Sequence, residues 1–420
     1  MKLKPTALAA LLGLLIGVSL GCRIPVQVRS VPTVPLLPTS TRELTATPLP
    51  YLSPVPTEIL IKQSDTDIMG GIQHSLNLYA QAYNKNRLEL LTQAVDQTNL
   101  PFRRLVKTQF DSYQKSIDAG HYTFQYNVKN ISRMKFGFVL AHLSLGSSPA
   151  AADWLFRLVD GRWVLSEPTL AQVGTMKEVS GKHFVFETYP WSADVNADVI
   201  QQMDNAAARV EKKLGKLPDQ KARVIIKPIY GIDPFDDPNA VASYTPGSNG
   251  VEDTIKIFAP HSYTFGFYST QADWQIELAN TLTHEYTHMV HQRAFDNVGR
   301  LMDWFGEGLA EYVSDSQRIY EVRDALRQNK LIPILDSSRT VDKQDLMHLY
   351  LLNADKSLAY AESQSLVKYI ADTYGGLDAV WKLARADDKS QDFDKALQQS
   401  FNISYSQFDQ NWRAWLAKNY

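Results

Sequence analysis

Residues 282 to 292 read LTHEYTHMVHQ and set three histidines and one glutamate within eight positions. The whole chain has nine histidines in 420 residues, so an even spread would not produce this cluster. On a helix, His284 and His288 stand four apart and project from one face. Two imidazoles so spaced can reach one Zn2+ at about 2.0–2.1 Å each. Glu285 lies about 100° further round, close enough to act on a water beside the ion without displacing it. The chemistry this pattern suits is metal-assisted hydrolysis. A catalytic zinc takes three protein ligands and keeps one position open, so another ligand must come from elsewhere in the chain. Cys22 is the only cysteine. That excludes an internal disulfide and a Cys-based zinc cluster, and leaves His and carboxylates to hold any metal.

The elements that must position these groups are legible around them. Ile276, Ala279, Leu282, Tyr286, Met289 and Val290 form an apolar stripe, which predicts a helix from Asp273 to about Phe295. The following RLMDWFGEGLAEYVSD predicts a second helix, with Trp304, Phe305, Leu309 and Tyr312 facing the first. Glu307 and Glu311 are one turn apart on it and share a face. Glu311 is placed to accept the spare ring N–H of a ligand histidine, which fixes the tautomer. A third histidine ten residues after His284 would mark the metzincins, but position 294 is Ala.

The motif H-E-x-x-H, then eighteen residues, then E-G-x-A-x-Y resembles the gluzincin metallopeptidases, in particular the peptidase MA-like group related to aminopeptidase N. The resemblance implies a zinc site of His284, His288 and Glu307, with Glu285 as general base. The stretch LAYAESQSLVKYIADTYGG, 358 to 376, is similar to the family segment in which a Tyr precedes a helix ending at Gly-Gly. It implies Tyr360 as the hydroxyl that stabilises the tetrahedral intermediate. HFVFETYP to ARVIIKPIYG reads as strand, helix, strand, like the small sheet of these domains, and FDQNWRAWLAKNY is typical of their C-terminal end. The likeness spans about 180 to 420 and implies a thermolysin-like zincin domain, a small mixed sheet with a mainly helical C-terminal half. Aminopeptidases of this group carry Gly-x-Met-x-Asn on an edge strand before the zinc helix. That motif is absent here, and the strand expected in its place is DTIKIFAP, 253 to 260. An endopeptidase is therefore as much in keeping with the sequence as an exopeptidase. Of the other histidines, His291 is expected near the cleft without a catalytic role, and His183, His261 and His348 as ordinary residues.

The remainder of the chain sorts by composition. MKLKPTALAALLGLLIGVSLGC has Lys2 and Lys4 before an apolar run too short to span a bilayer, and ends at Cys22. It resembles a bacterial lipoprotein signal and implies a lipid on Cys22 that would anchor the chain outside the cytoplasm, although Ser19 and Leu20 depart from the usual lipobox. Without that lipid the chain would be secreted. Residues 23–57 hold eight of the 20 prolines. Proline at that density favours extended polyproline II, with a reach on the order of 100 Å.

Residues 58–170 predict a separate module. Ile72, Leu76, Tyr79, Ala80 and Tyr83 carry a helical period within 65–117, and two aromatic-rich alternating stretches follow, hinged at Asp160-Gly161. This order resembles the cone-shaped fold of nuclear transport factor two-like and cystatin-like domains, which implies a binding or spacer module. Its histidines, His74, His121 and His142, are far apart in sequence. The expected fold class is α+β, with segments 1–22, 23–57, 58–170 and 171–420. The net charge of −2 gives no electrostatic footprint for nucleic acid. The expected partners are a peptide or protein substrate and a membrane. The alternative reading is a membrane-anchored, catalytically inactive peptide- or surface-binding protein.

Overall fold

Three helices open the fold: α1 (Asp65–Lys85), α2 (Leu88–Ala94) and α3 (Leu100–Lys115). Ser64 caps α1 by accepting the Asp67 N–H, and Asn86 ends it in the left-handed region. The predicted stripe of Ile72, Leu76, Tyr79, Ala80 and Tyr83 is buried. It packs against a sheet of β1 (Tyr126–Arg133), β2 (Phe138–Leu145), β3 (Ala150–Val159) and β4 (Arg162–Leu165). Asp160 and Gly161, both at positive φ, turn β3 into β4 as the Asp-Gly pair predicts. The computed structural model describes residues 63–115, 123–146, 150–215, 221–233, 237–238, 240–247, 252–266, 268–269, 274–295, 302–316, 318–335, 345–351 and 356–420. The signal-like segment, Cys22, the Pro-rich stretch and His121 lie outside these.

After a helical turn, α4 (Leu170–Val173), a second sheet forms from β5 (Lys177–Ser180), β6 (Phe184–Thr188), β7 (Ala222–Lys227), β8 (Ala242–Thr245) and β9 (Thr254–Phe258). The long helix α5 (Ala193–Leu214) makes the crossover between parallel β6 and β7. The strand order is β5-β6-β7-β9-β8, with β7 and β9 parallel and the two edge strands antiparallel. This corrects one expectation. The strand in 253–260 is interior, and the edge belongs to β8, because β9 pairs with β7 and β8 turns back along it.

A short strand, β10 (Tyr268–Ser269), then leaves this half and pairs antiparallel with Ala150 and Ala151 of β3 in the first sheet. The remainder is helical: α6 (Trp274–Ala294), α7 (Asp303–Val313), α8 (Ile319–Arg327), α9 (Lys356–Tyr374), α10 (Leu377–Ser390), α11 (Phe393–Phe401) and α12 (Tyr405–Asn419). The class is α+β. Among the described residues, no helix is long and apolar enough to cross a membrane.

The cores cross the expected boundary near 170. Tyr230, Phe258 and Tyr263 are buried in the core that α1 to α3 make with the first sheet. On the other face of that sheet, Phe138 and Leu155 pack with Trp191 and Ile229. A two-faced burial explains why β3, AAADWLFRLV, is apolar at consecutive positions instead of alternating.

Candidate metal centre

The helix that carries the motif is buried on every side. Within α6, Leu278, Ala279 and every residue from Leu282 to His291 are buried. Ile276 is the exception to the predicted stripe, at 48% exposed. Threonines are poor helix formers because their hydroxyls compete for backbone. Here Thr283 and Thr287 donate to the carbonyls of Ala279 and Thr283, at 2.6 and 2.7 Å, so their polar atoms are satisfied in a dry interior.

Helix α7 crosses this helix and brings in Glu307, which glycines flank on both sides. A Cβ at Gly306 would lie 3.2 Å from His291 Nε2 and 3.9 Å from His288 Nδ1. A Cβ at Gly308 would run into the backbone carbonyl of Ser363 in α9. Each glycine costs a helix interior roughly 0.5–1 kcal/mol relative to alanine. In return α7 lies close against α6 on one side and α9 on the other, with Glu307 between them.

The result is a triangle of Lewis bases. His284 Nε2 and His288 Nε2 are 3.1 Å apart, and Glu307 Oε2 lies 3.3 Å from the first and 3.4 Å from the second. Four ligands in a tetrahedron at about 2.0–2.1 Å from Zn2+ are about 3.3–3.4 Å from one another. The three atoms therefore fit three corners of a zinc tetrahedron to within 0.3 Å, and all three residues are buried. The ring of His284 shows its other nitrogen to Glu311, with Nδ1 to Oε1 at 3.6 Å.

The electrostatics favour positive charge here. Burial alone would push the His284 imidazolium down, but its hydrogen bond to Glu307 and the charges of Glu311, Glu307 and Glu285 outweigh this and hold it up at about 9. Burial would raise the Glu307 carboxyl, but the two imidazoles lower it well below the usual carboxylate range. Three carboxylates around two imidazoles thus make a buried site that draws a cation. His291 behaves differently. Burial and then His288 push it down to about 3, so it remains a neutral ring packed beside Gly306 and Phe305.

The other expected site residues are near. Glu285 is fully buried and close enough for its charge to act on His284. Tyr360 is buried with its ring centroid 6.5 Å from that of His284. It lies inside α9 rather than ahead of it, because that helix starts at Lys356. Arg318 was not anticipated. It is buried, its Nε lies 3.3 Å from Glu311 Oε2, its Nη1 donates to Ser357 Oγ at 2.8 Å, and its guanidinium lies over the Tyr360 ring at 5.8 Å. Other described histidines have carboxylate partners of their own. His142 pairs with Asp153, His261 with Asp194 and His348 with Asp345.

Two histidines one turn apart and a carboxylate from a crossing helix, with a further glutamate beside them, are the makings of a mononuclear metallohydrolase centre. Residues 259–418 match the family model described as the Peptidase MA superfamily. The matched span begins ahead of α6 and includes α7, α9 and α12, so it contains every residue of the centre. No curated protein matches the chain.

Proposed function

We propose that the chain is a zinc-dependent peptidase of the gluzincin type, with His284, His288 and Glu307 as the metal ligands. The observation that carries this reading is the triangle of His284 Nε2, His288 Nε2 and Glu307 Oε2, whose sides of 3.1, 3.3 and 3.4 Å suit one tetrahedral ion. Zn2+ bound there supplies a Lewis acid that polarises a carbonyl and makes water more acidic. Glu285 takes the proton of the attacking water and passes it to the departing amine. The Tyr360 hydroxyl donates to the oxygen that gains negative charge as the peptide carbonyl becomes tetrahedral. Glu311 faces Nδ1 of His284 at 3.6 Å, and its charge favours the proton on that nitrogen, which leaves the Nε2 lone pair for the metal.

Substrate chemistry is read from the sheet. β8 is an antiparallel edge, and Asp253 ties it to the zinc helix: Tyr244 donates to Asp253 at 2.8 Å, and Arg293 of α6 pairs with the same carboxylate. An extended peptide can add to such an edge through its backbone. That favours internal segments of peptides and unfolded proteins, in keeping with the absence of the exopeptidase motif. The Lys2 to Cys22 segment supports a location on the outer face of a bacterial membrane, held by a lipid on Cys22 through the Pro-rich stretch.

The test is zinc stoichiometry together with cleavage of a peptide library, with and without a chelator, for the parent chain and Glu285→Gln. The expected outcome is one zinc per chain in both proteins and turnover lower by about 10²–10⁴-fold in the variant. Equal cleavage by the two proteins would sink the assignment of Glu285. A parent chain that binds no zinc would sink the whole reading.

A further inference from the structure

Arg318 precedes α8 and is 6% exposed, yet it meets three other helices of the centre. Its Nε faces Glu311 of α7 at 3.3 Å, and its Nη1 donates to Ser357 of α9 at 2.8 Å. Its guanidinium carbon lies over the Tyr360 ring of α9 at 5.8 Å from the centroid. Its charge also reaches Glu277 of α6. A guanidinium can serve a carboxylate, a hydroxyl and an aromatic face at once because it is planar and forked. Few other side chains could make these contacts from one position.

Glu311 is held between two partners. Its Oε1 lies 3.6 Å from His284 Nδ1 and its Oε2 lies 3.3 Å from Arg318 Nε. The carboxylate cannot turn away from the histidine without also leaving the arginine. The Gln364 side chain fixes the backbone there as well, donating to the Glu311 and Ser316 carbonyls at 3.1 and 2.6 Å. Without Arg318, Glu311 would be a buried carboxylate short of positive charge, a costly arrangement that relaxes by rotation or protonation. Tyr360 would lose the cation over its ring at the same time. We infer that Arg318 is a positioning residue that couples the two sides of the centre, holding Glu311 against His284 and Tyr360 over the position of the scissile carbonyl. It touches neither metal nor substrate. It acts through Glu311 and Tyr360, and the inference rests on the peptidase reading for its kinetic arm only.

The experiment uses the full chain and a double-mutant design. Zinc affinity is measured by competition with a chelating indicator, and kcat and KM at saturating zinc, for Arg318→Gln, Arg318→Lys, Glu311→Gln, Tyr360→Phe and the pairs. Loss of a group that supports a ligand weakens metal binding by about 10–100-fold, so Arg318→Gln should lie at the low end of that range. Its kcat should fall by about tenfold or more while KM stays within about threefold, because binding and transition-state contacts are separated. Arg318→Lys should recover only part of either loss. In zinc affinity, Arg318→Gln with Glu311→Gln should be no weaker than Glu311→Gln alone, since both changes cut one connection. If Arg318→Gln does not fold, Ser357→Ala removes one anchor of the guanidinium and should lower kcat several-fold with an unchanged melting temperature. Parent-like zinc affinity and kcat in Arg318→Gln, or losses that simply multiply in the pairs, would overturn the inference. A parent that binds zinc but cleaves no peptide would overturn the peptidase reading instead, and the coupling in zinc affinity would still decide the role of Arg318.

Discussion

Gly308→Ala separates helix propensity from helix packing at the centre. By propensity alone the change is favourable by about 1 kcal/mol, since alanine suits a helix interior better than glycine. Gly308, however, lies where α7 crosses α9. A Cβ there would sit 2.6 Å from the carbonyl carbon of Ser363 and 3.0 Å from Val367 Cγ2, whereas carbons pack at about 3.5–4.0 Å. The obstacle is backbone, and it is anchored: Trp412 Nε1 donates to Ser365 Oγ at 3.1 Å from behind, and Gln364 is bonded to the end of α7. The two helices must therefore part by roughly 1 Å. Overpacking of this kind costs about 1–3 kcal/mol, so the net loss of stability is about 0–2 kcal/mol. The effect on the centre is larger than the effect on stability. Glu307 is the adjacent residue and Tyr360 is one turn before Ser363, so the shift pulls the metal ligand and the hydroxyl apart. A displacement of about 1 Å in a catalytic constellation can cost about 10²-fold in rate. The assay is kcat/KM at saturating zinc, zinc affinity and melting temperature, with two controls. At Gly70 in α1 a Cβ meets nothing within 4 Å, so Gly70→Ala should raise the melting temperature by about 2–4 °C per kcal/mol gained and leave turnover alone. Gly306→Ala meets the His291 side chain at 3.2 Å rather than backbone, and its loss should fall between the other two. If Gly308→Ala behaves like Gly70→Ala, the close crossing does not position Glu307 and the reasoning is refuted.

Tyr360→Phe should lower kcat by about 10²–10³-fold with zinc affinity and KM unchanged, the size expected for one oxyanion donor. A kcat within a few-fold of the parent would make Tyr360 a core aromatic. Glu167 is buried beside Tyr230, whose N–H it accepts at 3.1 Å, and burial pushes its carboxyl up to about 7 despite that bond, one from Tyr263 and the charge of Lys227. The folded state thus keeps a proton that the unfolded chain, near 4.5, releases first. Its stabilising share is whole below about 4.5 and falls as pH rises through about 7. Denaturation from pH 5 to 8 should show a decline that Glu167→Gln flattens, and an equal decline in both proteins would exclude Glu167 as its source. Tyr263→Ala should cost about 3–5 kcal/mol, as for other large buried aromatics. Calorimetry of that variant should show one lowered transition for the whole chain, and two transitions with only one of them moved would contradict a shared core.

The sequence was most legible where a single helix carried the information. The spacing of His284, Glu285 and His288 needs only the helical period, and the stripe that predicts α6 requires no knowledge of its neighbours. Glu307 needed a resemblance, because eighteen intervening residues leave the crossing of α7 undetermined. Arg318 left no signal at all. One arginine among many becomes notable only when three helices converge on it. Gly306 and Gly308 were visible as letters, but their purpose is a distance between backbones that no local pattern encodes. The edge strand was misplaced for a related reason: DTIKIF alternates like an edge strand, and only the return of β8 along its flank makes it interior.

The position of β10 also bears on what the first module does. The core around the middle of α6 is built by its own half of the chain together with Ala151 of β3. Tyr263 lies between β9 and α6 and is held in the core of the first module. Its hydroxyl lies 2.5 Å from that of Tyr79, and its ring packs against Phe102 and Trp154 at 5.4 and 5.1 Å. Five residues on, β10 takes its backbone partners from β3. The approach to α6 is thus in contact with α1, α3 and the first sheet. A spacer would meet its neighbour through polar surface, since interfaces between movable domains resemble transient ones. Here the contact is three aromatic residues in one core and two more apolar residues, Trp191 and Ile229, on the other face of the same sheet. Freeing the module would expose both sets at once, and β10, which precedes α6, would lose its backbone partners in β3.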